Sequence, residues 1–71
     1  MQDAATYRFE FRGTIEIPTH VLLQHREGTL QQAIELCGQY GCQIVLKDPE
    51  DAAVSRGLVR PDGQYELAEA T

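Results

Sequence analysis

All the histidines and cysteines of the chain lie in one stretch, and their side chains are the ones best suited to bind a transition metal. They are spaced as His20-x4-His25-x11-Cys37-x4-Cys42. Imidazole nitrogen and thiolate sulfur are the usual ligands of structural zinc, and four of them complete a tetrahedral site. The histidines precede the cysteines, which inverts the order of the familiar zinc finger. Zinc binding is therefore the alternative function and not the leading one.

The two cysteines also suit a purely structural role. Cys37 lies on the apolar side of a predicted helix and Cys42 begins an apolar strand, where free cysteine acts as a small hydrophobic side chain. A local disulfide between them is the other possible use of the pair, but the absence of a secretion signal favours reduced thiols. Neither cysteine has a basic neighbour in sequence that would lower its pKa, so neither is predicted to be a nucleophile. We expect no enzyme and no catalytic, cofactor-binding or metal-binding residue.

An acidic cluster is the other group that could bind a cation. Asp48, Glu50 and Asp51 lack the alternating oxygen ligands and the closing glutamate of a calcium loop. The order Asp-Pro-Glu-Asp is typical of a helix start, so these residues predict a short helix over Ala52 to Arg56 that stops at Gly57.

Size and charge limit the possible partners. The 71 residues allow one small domain, 1–71, with frayed ends expected at 1–5 and 68–71. The net charge of -5 and pI near 4.7 argue against nucleic acid and anionic membranes, which attract clustered lysine and arginine. Tyr7, Phe9 and Phe11 could stack on bases, but this charge favours core packing for them. With no apolar leader or membrane span, the expected location is the cytoplasm.

The N-terminal half of the chain begins with a clear strand. Apolar residues at odd positions from Tyr7 to Ile17 predict one long strand that bends at Gly13 and ends at Pro18. A hairpin with a three-residue loop is the second choice. The following segment, Thr19 to Gly28, fits a short helix or an edge strand equally well and stays open.

The remaining elements have sharper signals. Thr29 and Gln32 form a capping box that begins a helix, and Gly41 suits the left-handed position that ends it. The run Cys42 to Leu46 is typical of an inner strand. Pro, Asp and Gly within Arg60–Gln64 predict a hairpin turn between two final strands.

Together these elements predict an α+β fold. It has a small three- or four-stranded sheet with one main helix packed on one face, in the order β-α-β-short α-β-β. The final hairpin pairs residues in three rows: Val59 with Tyr65, Leu58 with Glu66, and Gly57 with Leu67. The predicted core comprises Tyr7, Phe9, Phe11, Ile15, Ile17, Leu30, Ile34, Cys37, Ile44, Leu46, Val59 and Tyr65.

The segment Leu30–Pro49 reads Leu-x-x-Ala-Ile-x-x-Cys-Gly-x-x-Gly-Cys-x-Ile-Val-Leu-x-Asp-Pro. It resembles the helix-then-strand unit of small secretin-type N-terminal domains over these 20 residues. The resemblance implies a helix followed directly by an apolar strand. Many α+β domains share that pattern, so the chain is not assigned to the family.

The leading functional hypothesis is a non-enzymatic interaction module. A domain of this size buries only about 60% of the surface that its unfolded chain exposes, so association would add to a thin margin of stability. We expect either a homodimer or a small adaptor that binds another protein through an exposed sheet edge. The zinc-binding protein that uses His20, His25, Cys37 and Cys42 is the alternative.

Overall fold

The computed structural model describes residues 5–13 and 17–68. In chain order the elements are β1 (Thr6–Arg12), α1 (Thr19–Gln24), β2 (Glu27–Thr29), α2 (Leu30–Tyr40), β3 (Gln43–Asp48), β4 (Asp51–Val59) and β5 (Tyr65–Leu67). The strands form one antiparallel sheet in the order β2-β1-β3-β4-β5, which curls into a half-barrel. Helix α2 packs against the inner face of this sheet over β1 to β4.

The prediction of a three- or four-stranded sheet with one main helix is wrong. The described chain is mostly sheet, with five strands and two short helices. The segment Thr19 to Gly28, for which the sequence fits a short helix or an edge strand, contains both. Helix α1 occupies its first part, and β2 begins near its end. The segment Ala52 to Arg56, predicted as a helix, belongs to β4.

The acidic cluster closes a hairpin between β3 and β4 instead of starting a helix. One carboxylate oxygen of Asp48 accepts a hydrogen bond from the Glu50 N–H at 2.8 Å. The other accepts two from the Arg56 guanidinium, at 2.7 and 3.1 Å. Aspartate before proline is common at helix starts and also in turns, so the local signal is ambiguous. The pairing with β3 places Asp48 opposite Asp51, and this pairing makes the residues after Asp51 a strand.

Strand β1 forms the first part of the predicted long strand. It stops at Arg12, and Gly13 has a φ of +101°, a left-handed conformation that favours glycine. The predicted continuation through residues 14–16, with the core candidate Ile15, lies outside the described residues. Ile17 packs against the core, and Pro18 is the N-cap of α1.

The predicted ends of α2 are confirmed. The Gln32 N–H donates to Thr29 Oγ1 at 3.3 Å, and the Thr29 N–H donates to Gln32 Oε1 at 2.8 Å. These two bonds form the capping box. At the other end Gly41 has a φ of +66°, and its N–H donates to the Cys37 carbonyl.

The predicted final hairpin is confirmed as well. Gly63 has a φ of +90°, and its N–H donates to the Arg60 carbonyl at 3.0 Å. The β4–β5 register pairs the residues as expected: Val59 with Tyr65, Leu58 with Glu66, and Gly57 with Leu67.

The core lies between α2 and the inner face of the sheet. Its buried members are Ala33, Leu36, Cys37, Cys42, Ile44, Leu46 and Val59. Of the predicted core residues, six are only partly buried around this cluster: Tyr7, Phe9, Phe11, Ile17, Leu30 and Ile34. The prediction for Tyr65 is wrong, because 48% of its surface is exposed. A helix about 10 Å across cannot cover five strands that together span roughly 19 Å, and α2 leaves β5 uncovered.

Candidate functional site

The two cysteines are free, buried thiols, as predicted. Cys37 Sγ lies 3.6 Å from the Val59 carbonyl oxygen, and Cys42 Sγ lies 4.0 Å from that of Leu36. Burial is the main cause that raises the pKa of Cys37 to about 12, and it also raises the pKa of Cys42. Both thiols are therefore protonated near neutral pH, whereas nucleophilic attack and metal binding need the thiolate.

The structure does not bring the four residues of the zinc alternative together. His20 is exposed on α1, and His25 follows that helix in a shallow cavity lined by Glu35 and Tyr40. Cys37 and Cys42 lie in the core instead. Within residues 5–13 and 17–68, no group of three or more His, Cys, Asp or Glu residues is placed to hold a metal ion. The geometry gives the zinc alternative no support.

Two carboxylates of the acidic cluster, those of Asp48 and Asp51, already accept local hydrogen bonds. The bond from Arg56 is the largest cause that lowers the pKa of the Asp48 carboxyl, followed by the bond from the Glu50 N–H. Asp51 accepts a bond from the Ala53 N–H at 3.1 Å. These carboxylates stabilise the β3–β4 hairpin, and the interpretation as a helix N-terminus is wrong.

The sheet surface that faces away from α2, the outer face, carries a shallow groove of about 490 Å³ between β3, β4 and β5. Partly buried Val45 and Leu58 lie opposite each other within it. At its rim Glu10 pairs with Arg12 at 2.7 Å and with Lys47 at 3.5 Å. The hydrogen bond from Arg12 is the main cause that lowers the pKa of Glu10. The groove thus offers an apolar strip bordered by paired charges.

One edge of the sheet, β2, is closed by its neighbours. In the pairing with β1, Gly28 lies opposite Tyr7 and Thr29 lies opposite Thr6. The Thr29 N–H, which points away from β1, is already bonded to the Gln32 side chain of the capping box. Helix α2 begins immediately after Thr29, so β2 offers little backbone to a further strand.

At the opposite edge, β5 pairs with no further strand among residues 5–13 and 17–68. The Gln64 carbonyl accepts a bond from the Arg60 N–H, and the Ala68 N–H donates to the Arg56 carbonyl, both at 2.8 Å. In an antiparallel ladder such bonds alternate along the strand. The backbone groups of Gln64, Glu66 and Ala68 therefore point to β4. Those of Tyr65 and Leu67 point away from the sheet.

The side chains of β5 add to this open backbone. Tyr65 and Leu67 lie on the inner face, where 48% and 45% of their surfaces are exposed. Glu66 lies on the outer face and accepts a bond from Arg60 at 3.0 Å. We call Tyr65–Leu67 the β5 edge, and it is the candidate site. Unpaired backbone next to exposed apolar side chains is a template for strand pairing.

Sequence reasoning expected an exposed edge but did not identify which strand forms it. It paired Tyr65 and Leu67 correctly with β4 and then assigned Tyr65 to the core. One signal could have located the site: the last strand carries two inward apolar residues, while one helix of 11 residues covers the sheet. That helix is too narrow to reach the last strand.

No protein-family model matches this chain, and no curated protein or solved structure is significantly similar to it. The partial resemblance of Leu30–Pro49 to secretin-type domains gains no support from these comparisons. In the described ranges, neither helix is long and apolar enough to cross a membrane.

Proposed function

We propose that the protein is a non-enzymatic interaction module that accepts a β-strand from another protein chain along the β5 edge. The observation that carries this proposal is the coincidence of open backbone and exposed apolar side chains at Tyr65 and Leu67. In strand addition, main-chain hydrogen bonds supply affinity and alternate side chains supply specificity.

The outer-face groove supports the same proposal. Glu66, Leu67 and Ala68 line its β5 side, so a strand added at the edge would extend the grooved surface. An apolar centre with a charged rim is the usual anatomy of a protein interface. Val45 and Leu58 provide that centre here.

The charge and the thiols fit this proposal. The ionisable groove residues are held in ion pairs, and the buried thiols are protonated, which favours binding over catalysis. A net charge of -5 favours a protein partner over nucleic acid. Free thiols suit a reducing compartment such as the cytoplasm.

A synthetic peptide with the sequence of Asp62–Ala68 is expected to bind the edge with a Kd on the order of millimolar, because one short strand forms a small interface. Binding should shift the NMR signals of the Tyr65 and Leu67 backbone amides. Changing Tyr65 to Lys should weaken binding at least about fivefold, through loss of an apolar cross-strand contact and placement of a charge at the edge.

Two controls make the peptide experiment specific. The Leu23→Lys variant changes an apolar residue on α1 that is 56% exposed, and it should bind the peptide like the unmodified protein. A peptide with proline in place of its tyrosine lacks an N–H donor and should not bind. Signal changes confined to α1 or β2, or none at millimolar peptide, would refute the proposal.

A further inference from the structure

We infer that the chain added at the β5 edge is a second copy of this protein, paired antiparallel about a two-fold axis that passes beside Glu66. This inference rests on the proposed function and names its partner. The resulting dimer would join two five-stranded sheets into one continuous sheet.

The hydrogen-bonding pattern of β5 is self-complementary. The groups that point outward belong to Tyr65 and Leu67, which lie symmetrically on either side of Glu66. In an antiparallel pair centred on Glu66, Tyr65 of each copy lies opposite Leu67 of the other. In each such pair the backbone N–H and C=O groups of both residues point toward the other strand. The two residues of a pair therefore exchange two hydrogen bonds. All the outward backbone groups of the β5 edge are then satisfied.

The side chains agree with the same register. Each half-exposed Tyr65 would lie directly opposite a half-exposed Leu67 on the inner face. Cross-strand pairs of an aromatic and an aliphatic side chain stabilise antiparallel sheets. The two-fold axis forms this pair twice, and so covers the apolar surface that α2 leaves exposed.

The negative charge of Glu66 opposes this register, but Arg60 offsets it. Two Glu66 side chains would face each other on the outer face, and directly opposed like charges are unfavourable. Each Glu66, however, already carries a bond from Arg60 of its own hairpin at 3.0 Å. The paired edges therefore present two neutralised ion pairs rather than two bare carboxylates.

The dimer should be weak and dependent on concentration. Stable interfaces bury about 800 Å² per partner, more than a pairing of three-residue strands provides. Because such a dimer would form only transiently, a covalent cross-link is needed to detect it.

The experiment introduces one cysteine at the axis. In the Glu66→Cys variant the two new cysteines would form a non-hydrogen-bonded pair, with Cα atoms about 4.5 Å apart, within the range of a disulfide. We expect mild oxidation of the intact chain to give a disulfide-linked dimer in high yield. The buried Cys37 and Cys42 should not compete, because their thiols are protonated and inaccessible.

The Gln64→Cys variant is the matched control, since Gln64 is an exposed residue of the same hairpin. In the inferred register its copies would lie roughly 13 Å apart, too far for a disulfide. Combining Gln64→Cys with Ala68→Cys should restore cross-linking, because those positions oppose each other. Equal cross-linking of the two single variants, or none in either, would overturn the inference. The proposed function would survive that result if the Asp62–Ala68 peptide still bound, since the added strand would then use another register or direction. Failure of the peptide to bind would refute the proposed function and the inferred partner together.

Discussion

Raising the pH from about 9 toward 12 should steeply lower the free energy of unfolding. The unfolded Cys37 thiol ionises near pH 9, whereas burial raises its folded pKa to about 12. Between these values the folded state holds a proton that the unfolded state has lost. The stability from this thiol is therefore complete below about pH 9 and falls by roughly 1.4 kcal/mol per pH unit above it. Cys42, whose pKa is raised by the same cause, adds to the loss.

Urea unfolding at several pH values measures this slope, and the Cys37→Ala variant isolates the part of it that belongs to this thiol. The variant should be less stable near pH 7, because it leaves a small cavity, but its stability should fall less steeply above about pH 9. Parallel curves for the two proteins would show that the Cys37 thiol ionises as readily in the folded state as in the unfolded one. That result would contradict its place in the core.

Substituting Gly57 by alanine should both destabilise the fold and abolish binding at the β5 edge. A Cβ atom at Gly57 would lie 2.7 Å from the Glu66 carbonyl oxygen and 2.9 Å from Leu67 Cδ2. The first contact is with backbone, so β5 must move away from β4. Overpacking of this kind costs about 1–3 kcal/mol. The displaced strand should no longer bind the Asp62–Ala68 peptide.

The Gly38→Ala variant is the matched control. Apart from its chain neighbours and the backbone of its own helix, no atom of the described residues lies within 4 Å of the Cβ that alanine would add at Gly38 in α2. Alanine there removes the conformational cost of a helical glycine, so stability should rise by about 0.5–1 kcal/mol, with peptide binding unchanged. Chemical denaturation and peptide titration of both variants check these opposite effects. An equally stable Gly57→Ala variant that still binds the peptide would show that β5 does not pack closely on β4.

Sequence reasoning succeeded where a few adjacent residues determine the structure. The capping box of Thr29 and Gln32, the left-handed Gly41 and the turn at Arg60–Gln64 each satisfy their backbone groups locally. Their signals could be read without knowing the rest of the fold. The β4–β5 register followed from the turn alone.

It failed where distant pairing overrides a local preference. The signal at Asp48–Asp51 suits a helix start and a turn, and only the ladder with β3 makes Ala52–Arg56 a strand. The candidate site depends even more on the whole fold. An exposed edge was expected, but only the complete fold identifies it as β5, since Gln32 caps β2 at the other edge and α2 packs over β1 to β4.

Backbone amide exchange at Tyr65 and Leu67, followed over a range of protein concentrations, tests most directly whether the β5 edge binds another chain. In dilute protein both amides should exchange quickly, while the Glu66 amide, which points to β4, is protected. As the concentration approaches about 1 mM, protection should appear at Tyr65 and Leu67 as a weak dimer forms. Fast exchange of these two amides at every concentration, together with a constant monomeric mass in sedimentation, would contradict self-association through the β5 edge.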